Sequence, residues 1–112
     1  MKKSDLSFSD FQNADLRVGK VVAVSPVEGS INLLRLKVDL GYDYGVRQVV
    51  SGIARWYKPN QLKNKKFIFV ANLEEKKIMG NDSQGMILAA DDNHQARLIK
   101  VDNKIPEGTI IR

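Results

Sequence analysis

The segment LLRLKVDLG, Leu33 to Gly41, alternates apolar and charged side chains almost without a break. In an extended chain Leu34, Leu36, Val38 and Leu40 fall on one side and Arg35, Lys37 and Asp39 on the other. A helix would scatter both sets around its circumference, so this segment reads as a strand with one face in a core and one charged face in water. Such a strand needs partners, because alone it leaves backbone polar groups and an apolar face uncovered.

Candidate partners lie on both sides. RVGKVVAVSPV is β-branched and ends at Pro26, with Val18, Val22 and Val24 expected on a buried face and Lys20 at its margin. GYDYG turns the chain as a hairpin into VRQVVSGI, where Val46, Gln48 and Val50 alternate against Arg47 and Val49. ARWYKPNQLKNK then reads as an irregular connection with a turn or two of helix opened by Pro59. KFIFVANL and GMILAA are strands, and the polar segment between them, EEKKIMGNDSQG, is expected to be a loop at the rim of the sheet. Asp91, Asp92 and Asn93 mark a turn before ARLIKVD, and Pro106 and Gly108 make a last turn ahead of TIIR. At the other terminus Ser7 or Ser9 can cap a short helix running through Phe8, Phe11 and Leu16. Five or six short strands with little helix, no linker and no repeat predict an all-β chain. It would be a single domain over residues 1–112, folded as a five-stranded OB-like barrel with short helices.

Charge narrows the function. Residues 47–77 hold eight basic residues, Arg47, Arg55, Lys58, Lys63, Lys65, Lys66, Lys76 and Lys77, against Glu74 and Glu75. The remainder holds ten basic and eleven acidic residues, so this segment carries the whole net charge of +5. Such a concentration predicts a localised anion-binding face. Catalytic motifs are missing. The single histidine, His94, lies in the turn DDNHQ, there is no cysteine, and Glu74 and Glu75 are neighbours that project to opposite sides of an extended chain. No phosphate-binding glycine loop or nucleophile elbow occurs, so neither enzyme activity, a metal nor a cofactor is expected. No apolar run is long enough to span a bilayer, and MKKSDLSFSDF lacks the apolar stretch of a secretory signal, which predicts a cytoplasmic protein.

Five blocks, DFQNADLRVGKV (10–21), LLRLKVDLG (33–41), RQVVSGIARWYKP (47–59), VANLEEKKIMGNDSQGMILAA (70–90) and IPEGTII (105–111), resemble the tRNA-binding domain family. That family comprises the C-terminal appendage of many methionyl-tRNA synthetases, related cofactors, and free-standing dimeric tRNA-binding proteins. The resemblance runs from about Phe8 to the C-terminus. It implies an OB-fold core with a C-terminal extension, homodimerisation through the terminal segments in stand-alone members, and recognition of tRNA by shape around its elbow and outer corner. A methionyl-tRNA synthetase is then a further partner. The family's binding signature falls on Asn72, Lys76, Lys77, Ser83, Gln84 and Met86. One departure is Glu75–Lys76, where the family usually has proline and arginine, which removes a rigid turn and a bidentate phosphate ligand.

The residue chemistry suits that signature. Lys76 and Lys77 can meet phosphates as mobile charges, Ser83 and Gln84 can bond to sugars and base edges, and Gly80 and Gly85 let backbone approach closely. Asn72 offers a donor and an acceptor, and Met86 a polarisable cover for an unstacked base. Arg35 and Lys37 on the polar strand face, with Arg47 and Arg55 flanking the next strand, are candidates for a groove along the phosphate backbone. Trp56 is a candidate stacking residue, and Tyr57 reads as packing. Two other functions fit the same chain: a chaperone-like polypeptide binder, as in one branch of the family, and a module that docks onto a synthetase.

Overall fold

The structure, a computed structural model, describes residues 1–112. Its elements are α1 (Phe8–Gln12), β1 (Leu16–Pro26), β2 (Leu34–Asp39), β3 (Val46–Ser51), α2 (Pro59–Leu62), β4 (Lys66–Val70), β5 (Lys76–Ile78), β6 (Asn81–Ser83), β7 (Met86–Ile87), β8 (Ala89–Asp92), β9 (Gln95–Leu98) and β10 (Ile110–Ile111). Five antiparallel strands run in the order β3-β2-β1-β4-β7, with β10 added beside β1. The Gln84 N–H donates to the Gln48 carbonyl at 2.7 Å and draws the β7 end of this sheet onto β3. The barrel is thereby nearly closed, as the OB-like expectation requires.

β2 behaves as its alternation dictates. Leu34, Leu36, Val38 and Leu40 are buried in the barrel with Val21, Val49, Phe67, Phe69 and Ile87, while Lys37 is exposed. Each buried branched or aromatic side chain here contributes about 1.5–3 kcal/mol. α2 begins with Pro59 as expected, and its Leu62 is fully buried in the core cluster. At Gly19 a Cβ would stand 2.5 Å from Phe69 Cδ1 and 2.7 Å from Val38 Cγ1, so the curled wall tolerates no side chain there.

β1 departs from the expected pattern. Its register against β2 slips between Val21 and Ala23, leaving Val22 as an extra residue. Burial therefore falls on Val18 and Val21, with Val24 packed at the core's edge, and Val22 is only half-buried. The N-terminal helix is also shorter than expected. Ser7 is its cap, accepting from the Asp10 N–H at 3.1 Å, but the helix stops at Gln12 and Leu16 already belongs to β1. GMILAA divides as well: Met86 and Ile87 pair with β4, whereas Ala89–Asp92 forms a separate hairpin with β9.

The C-terminal extension closes over the outside of β1. Val18 donates to the Thr109 carbonyl at 2.9 Å and accepts from the Gly108 N–H at 2.7 Å, and β10 pairs Ile111 with Leu16. Val18 is consequently buried although it lies outside the barrel's core cluster.

Candidate nucleic-acid interface

The polar segment after Leu73 is a hairpin, not the expected loop. β5 and β6 pair Lys76 with Ser83, Lys77 with Asp82 and Ile78 with Asn81, across a two-residue turn in which Met79 (φ 48°) and Gly80 (φ 78°) are both left-handed. Gly80 thus serves the turn. Gly85 serves chain passage, since a Cβ there would lie 2.8 Å from the Val70 carbonyl oxygen.

The hairpin lies on the outer face of β2 and β3. Arg35 donates from Nη1 to Asn81 Oδ1 at 2.8 Å and from Nε to Ser25 Oγ at 3.2 Å. Gln48 donates from Nε2 to the Asp82 carbonyl at 2.8 Å, and the Val50 N–H donates to Ser83 Oγ at 3.0 Å. This explains why the successive residues Val49 and Val50 are both buried: Val49 joins the barrel core, and Val50 points out beneath the hairpin.

These contacts sort the predicted residues. Ser83 is only 4% exposed, its hydroxyl holding the hairpin to β3, so it is not presented to a partner. Asn72 is engaged at both ends, accepting from the Asp15 N–H at 2.8 Å and donating to the Asn13 carbonyl at 2.7 Å. Lys76, Lys77 and Met86 are exposed, and Gln84 is half-buried. Met86 lies opposite Val70 and outside the core. Opposite residues of a pair share a face, so Lys76 leaves the hairpin on the Ser83 side and Lys77 on the other. Lys77 stands 3.8 Å from Asp82, both largely exposed, a pairing that water screens.

Of the four candidate groove residues, Arg35 and Lys37 share the outer face of β2, and Lys37 lies opposite Gln48 on β3. Arg47 is elsewhere. It pairs with the buried Val38 and so follows the core-side phase, where its guanidinium covers the Tyr44 ring at 4.9 Å from the centroid. Arg55 lies past the end of β3 with Nη2 3.5 Å from Asn32 Oδ1. Tyr57 accepts from the Leu98 N–H at 2.9 Å, in line with a packing role, and Trp56 lines a shallow hollow with Ala89, Ala90 and His94.

Sequence reading missed a second polar centre near the chain termini. Arg17, 11% exposed, donates to both Asp15 oxygens at 2.7 and 3.1 Å, to Asp43 at 3.0 Å and to the Gly108 carbonyl at 3.0 Å. The Tyr44 hydroxyl donates to Asp15 at 2.5 Å. The hydrogen bond from Arg17 holds the Asp15 carboxyl below the usual carboxylate range, and the Asp15 carboxylate raises both Arg17 and Tyr44. The signal was Asp15-x-Arg17, a spacing that puts both side chains on one face of a strand. Beside this centre a cleft of about 590 Å³ is lined by Phe8, Phe11, Asp15, Asn72, Ile110 and Ile111, among others. No group of three or more acidic or histidine side chains is placed to hold a metal, and no helix is long and apolar enough to cross a membrane.

Residues 16–110 match the family model described as "Putative tRNA binding domain". Methionine–tRNA ligase of Clostridium tetani is 46% identical over 112 residues, an alignment that covers 98% of this chain and 17% of the ligase. The chain thus spans about one sixth of the length of that relative. Among solved structures, a MetRS-related protein from Pyrococcus horikoshii superposes with a TM-score of 0.92 at 33% identity, covering 98% of this chain and 100% of that one. A protein described as the chaperone CsaA of Bacillus anthracis superposes with a TM-score of 0.85 at 26% identity, covering 97% and 100%.

Proposed function

The chain belongs to the tRNA-binding domain family, and from that premise we propose that it is a non-catalytic module that binds tRNA by shape, at the elbow and outer corner. It does so as a homodimer and works as an appendage of, or in trans with, a methionyl-tRNA synthetase. The observation that carries this reading is the docked hairpin. It leaves Lys76 and Lys77 exposed, one on each side of the hairpin, over the outer face of β2 and β3 that also carries Lys37, with Asp82 the one carboxylate paired to them. Flexible ammonium groups on a rigid platform suit phosphates whose positions are set by RNA shape and not by base sequence.

The homodimer is supported by the uncovered apolar terminal surface. No residue of α1 is buried, and Phe8, Phe11 and Ile110 are 74%, 40% and 49% exposed along the cleft. A second copy covering this surface removes it from water. The same cleft favours a second reading, a polypeptide groove, in keeping with the chaperone named among the structural relatives.

The test is a mobility-shift titration with tRNA, unstructured RNA of equal length and duplex DNA at several salt concentrations, alongside Lys76→Ala/Lys77→Ala. Preferred binding of tRNA is expected, and the double variant should bind about tenfold more weakly at low salt with an unchanged melting curve. Equal binding to all three nucleic acids reduces the face to a nonspecific polyanion surface. No binding, with saturable capture of an unfolded polypeptide, moves the function to the second reading.

A further inference from the structure

The basic surplus of residues 47–77 does not collect on one face. β1 and β4 set Lys20 opposite Lys66, the Val21 N–H donates to the Lys65 carbonyl at 2.9 Å, and a bridge between Phe67 and Lys100 brings in the segment after β9. Lys66, 11% exposed, donates from Nζ to the carbonyls of Asn103 at 2.8 Å and Ile105 at 2.7 Å and lies 3.7 Å from Glu107. It fastens the segment ahead of β10 against β4. Between them opens a cleft of about 200 Å³ lined by Lys65, Lys66, Lys100, Val101 and Asn103. β4 runs from Lys66 at this cleft to Val70, where it pairs with β7 and the chain leaves for the hairpin, so the cleft lies at the opposite end of β4 from the hairpin.

The charge here is unspent. Lys65 and Lys100 are exposed and take part in no ion pair within the chain, and the nearby Lys63 is the same. Of the carboxylates beside the cleft, Glu107 is already engaged by Lys66, and Asp102, between Val101 and Asn103, accepts from the Lys104 N–H at 2.9 Å. The lowered pKa of Glu107, owed first to its own backbone N–H and further to Lys66 and Lys20, keeps it ionised there. No aromatic side chain lines the cleft, so it offers no surface on which a base could stack. Lysines around a pocket of this size suit one phosphate group.

The geometry points to a second RNA contact, in which this cleft holds a backbone phosphodiester with Lys65 and Lys100 as its ligands. It rests on the reading of the chain as a tRNA binder. The surface engages a part of the folded RNA distant from that at the hairpin, and it adds affinity and salt dependence without adding sequence preference.

The experiment compares the intact chain with Lys65→Ala/Lys100→Ala, Lys76→Ala/Lys77→Ala and the quadruple variant, each titrated with tRNA between about 50 and about 200 mM salt. Loss of this one phosphate contact makes the log-log salt slope shallower by roughly 0.7–0.9 and weakens low-salt binding about tenfold. The quadruple variant combines both losses, since the pairs share no partner. Lys65→Arg/Lys100→Arg retains binding, which separates lost charge from lost folding. An unchanged slope in Lys65→Ala/Lys100→Ala, with weakened binding in the hairpin variant, overturns the second contact and leaves the module reading standing. If the intact chain binds no tRNA at low salt, both fall together.

Discussion

The terminal end of the barrel and the hairpin face both carry cationic side chains, but they hold them differently. At the terminal end Arg17 makes four hydrogen bonds, and it and Arg47 lie over the Tyr44 ring at 5.3 and 4.9 Å. On the hairpin face Lys37 and Lys76 take no ion pair, and Lys77 has only the screened contact with Asp82. The one arginine there, Arg35, is tied to Ser25 and Asn81. In these two regions the arginines are engaged within the chain, whereas Lys37, Lys76 and Lys77 are left exposed. That division follows from the side chains: a planar guanidinium fork suits fixed acceptors, and an ammonium on a long stem follows a mobile anion. A count of positive charge therefore overstates the binding surface, because much of it is used internally.

The sharpest way to break this comparison is Arg17→Ala. It leaves Asp15 without its main partner, frees the Gly108 carbonyl beside the β1–β10 pairing, and should lower unfolding free energy by about 3 kcal/mol in urea titrations. The tRNA affinity of the folded protein should not change. The Asp15 pKa is depressed in the folded state, so its stabilisation is present above the unfolded carboxylate value of about 3.9 and is lost as pH falls through the lower folded value. Arg17→Ala removes the largest cause of that depression and leaves only the Tyr44 hydrogen bond, so stability measured against pH should decline less steeply in acid. The part due to Glu107, depressed in the same sense, remains. A loss of RNA binding in the folded variant would mean that the terminal end also meets RNA.

Ser83→Ala comes next. It strands the buried Val50 N–H and should cost about 1–2 kcal/mol, with hydrogen exchange rising first in residues 76–83. Because Lys76 and Lys77 owe their placement to the hairpin, tRNA affinity should fall modestly although no RNA-facing group is removed. A stability loss with unchanged affinity would show that the lysines act as charges alone, independent of where the hairpin holds them.

What the sequence made legible follows the same division. The alternation from Leu34 to Leu40 was enough to place β2 and its two faces, and Pro59 was enough to start α2, since each rests on local chemistry. The slip at Val22 was not legible, because it answers to how β1 curls between β2 and β4. The hairpin was hidden by its Met79–Gly80 turn, which lacks the asparagine or aspartate that usually announces such turns, although the successive buried valines at 49 and 50 hinted at a cover on both faces. The roles of Asn72 and Ser83 depend on partners 57 and 33 residues away. Polar residue type states what a side chain can bond to, and only the fold states whether that capacity is already taken.

Arg35 is where the two kinds of charge are hardest to tell apart, because it stands on the hairpin face yet is bonded as the structural arginines are. If it serves as a charge, Arg35→Lys keeps tRNA binding and Arg35→Ala loses it. If it serves as a clamp, both weaken binding alike, because a lysine ammonium does not reproduce the forked contact with Ser25 Oγ and Asn81 Oδ1. The clamp outcome is expected, with each variant losing about 1 kcal/mol of stability and both binding curves falling by the same small factor. Rescue by lysine would move Arg35 to the partner-facing set and show that, on this face at least, a bonded arginine can still be given up to RNA.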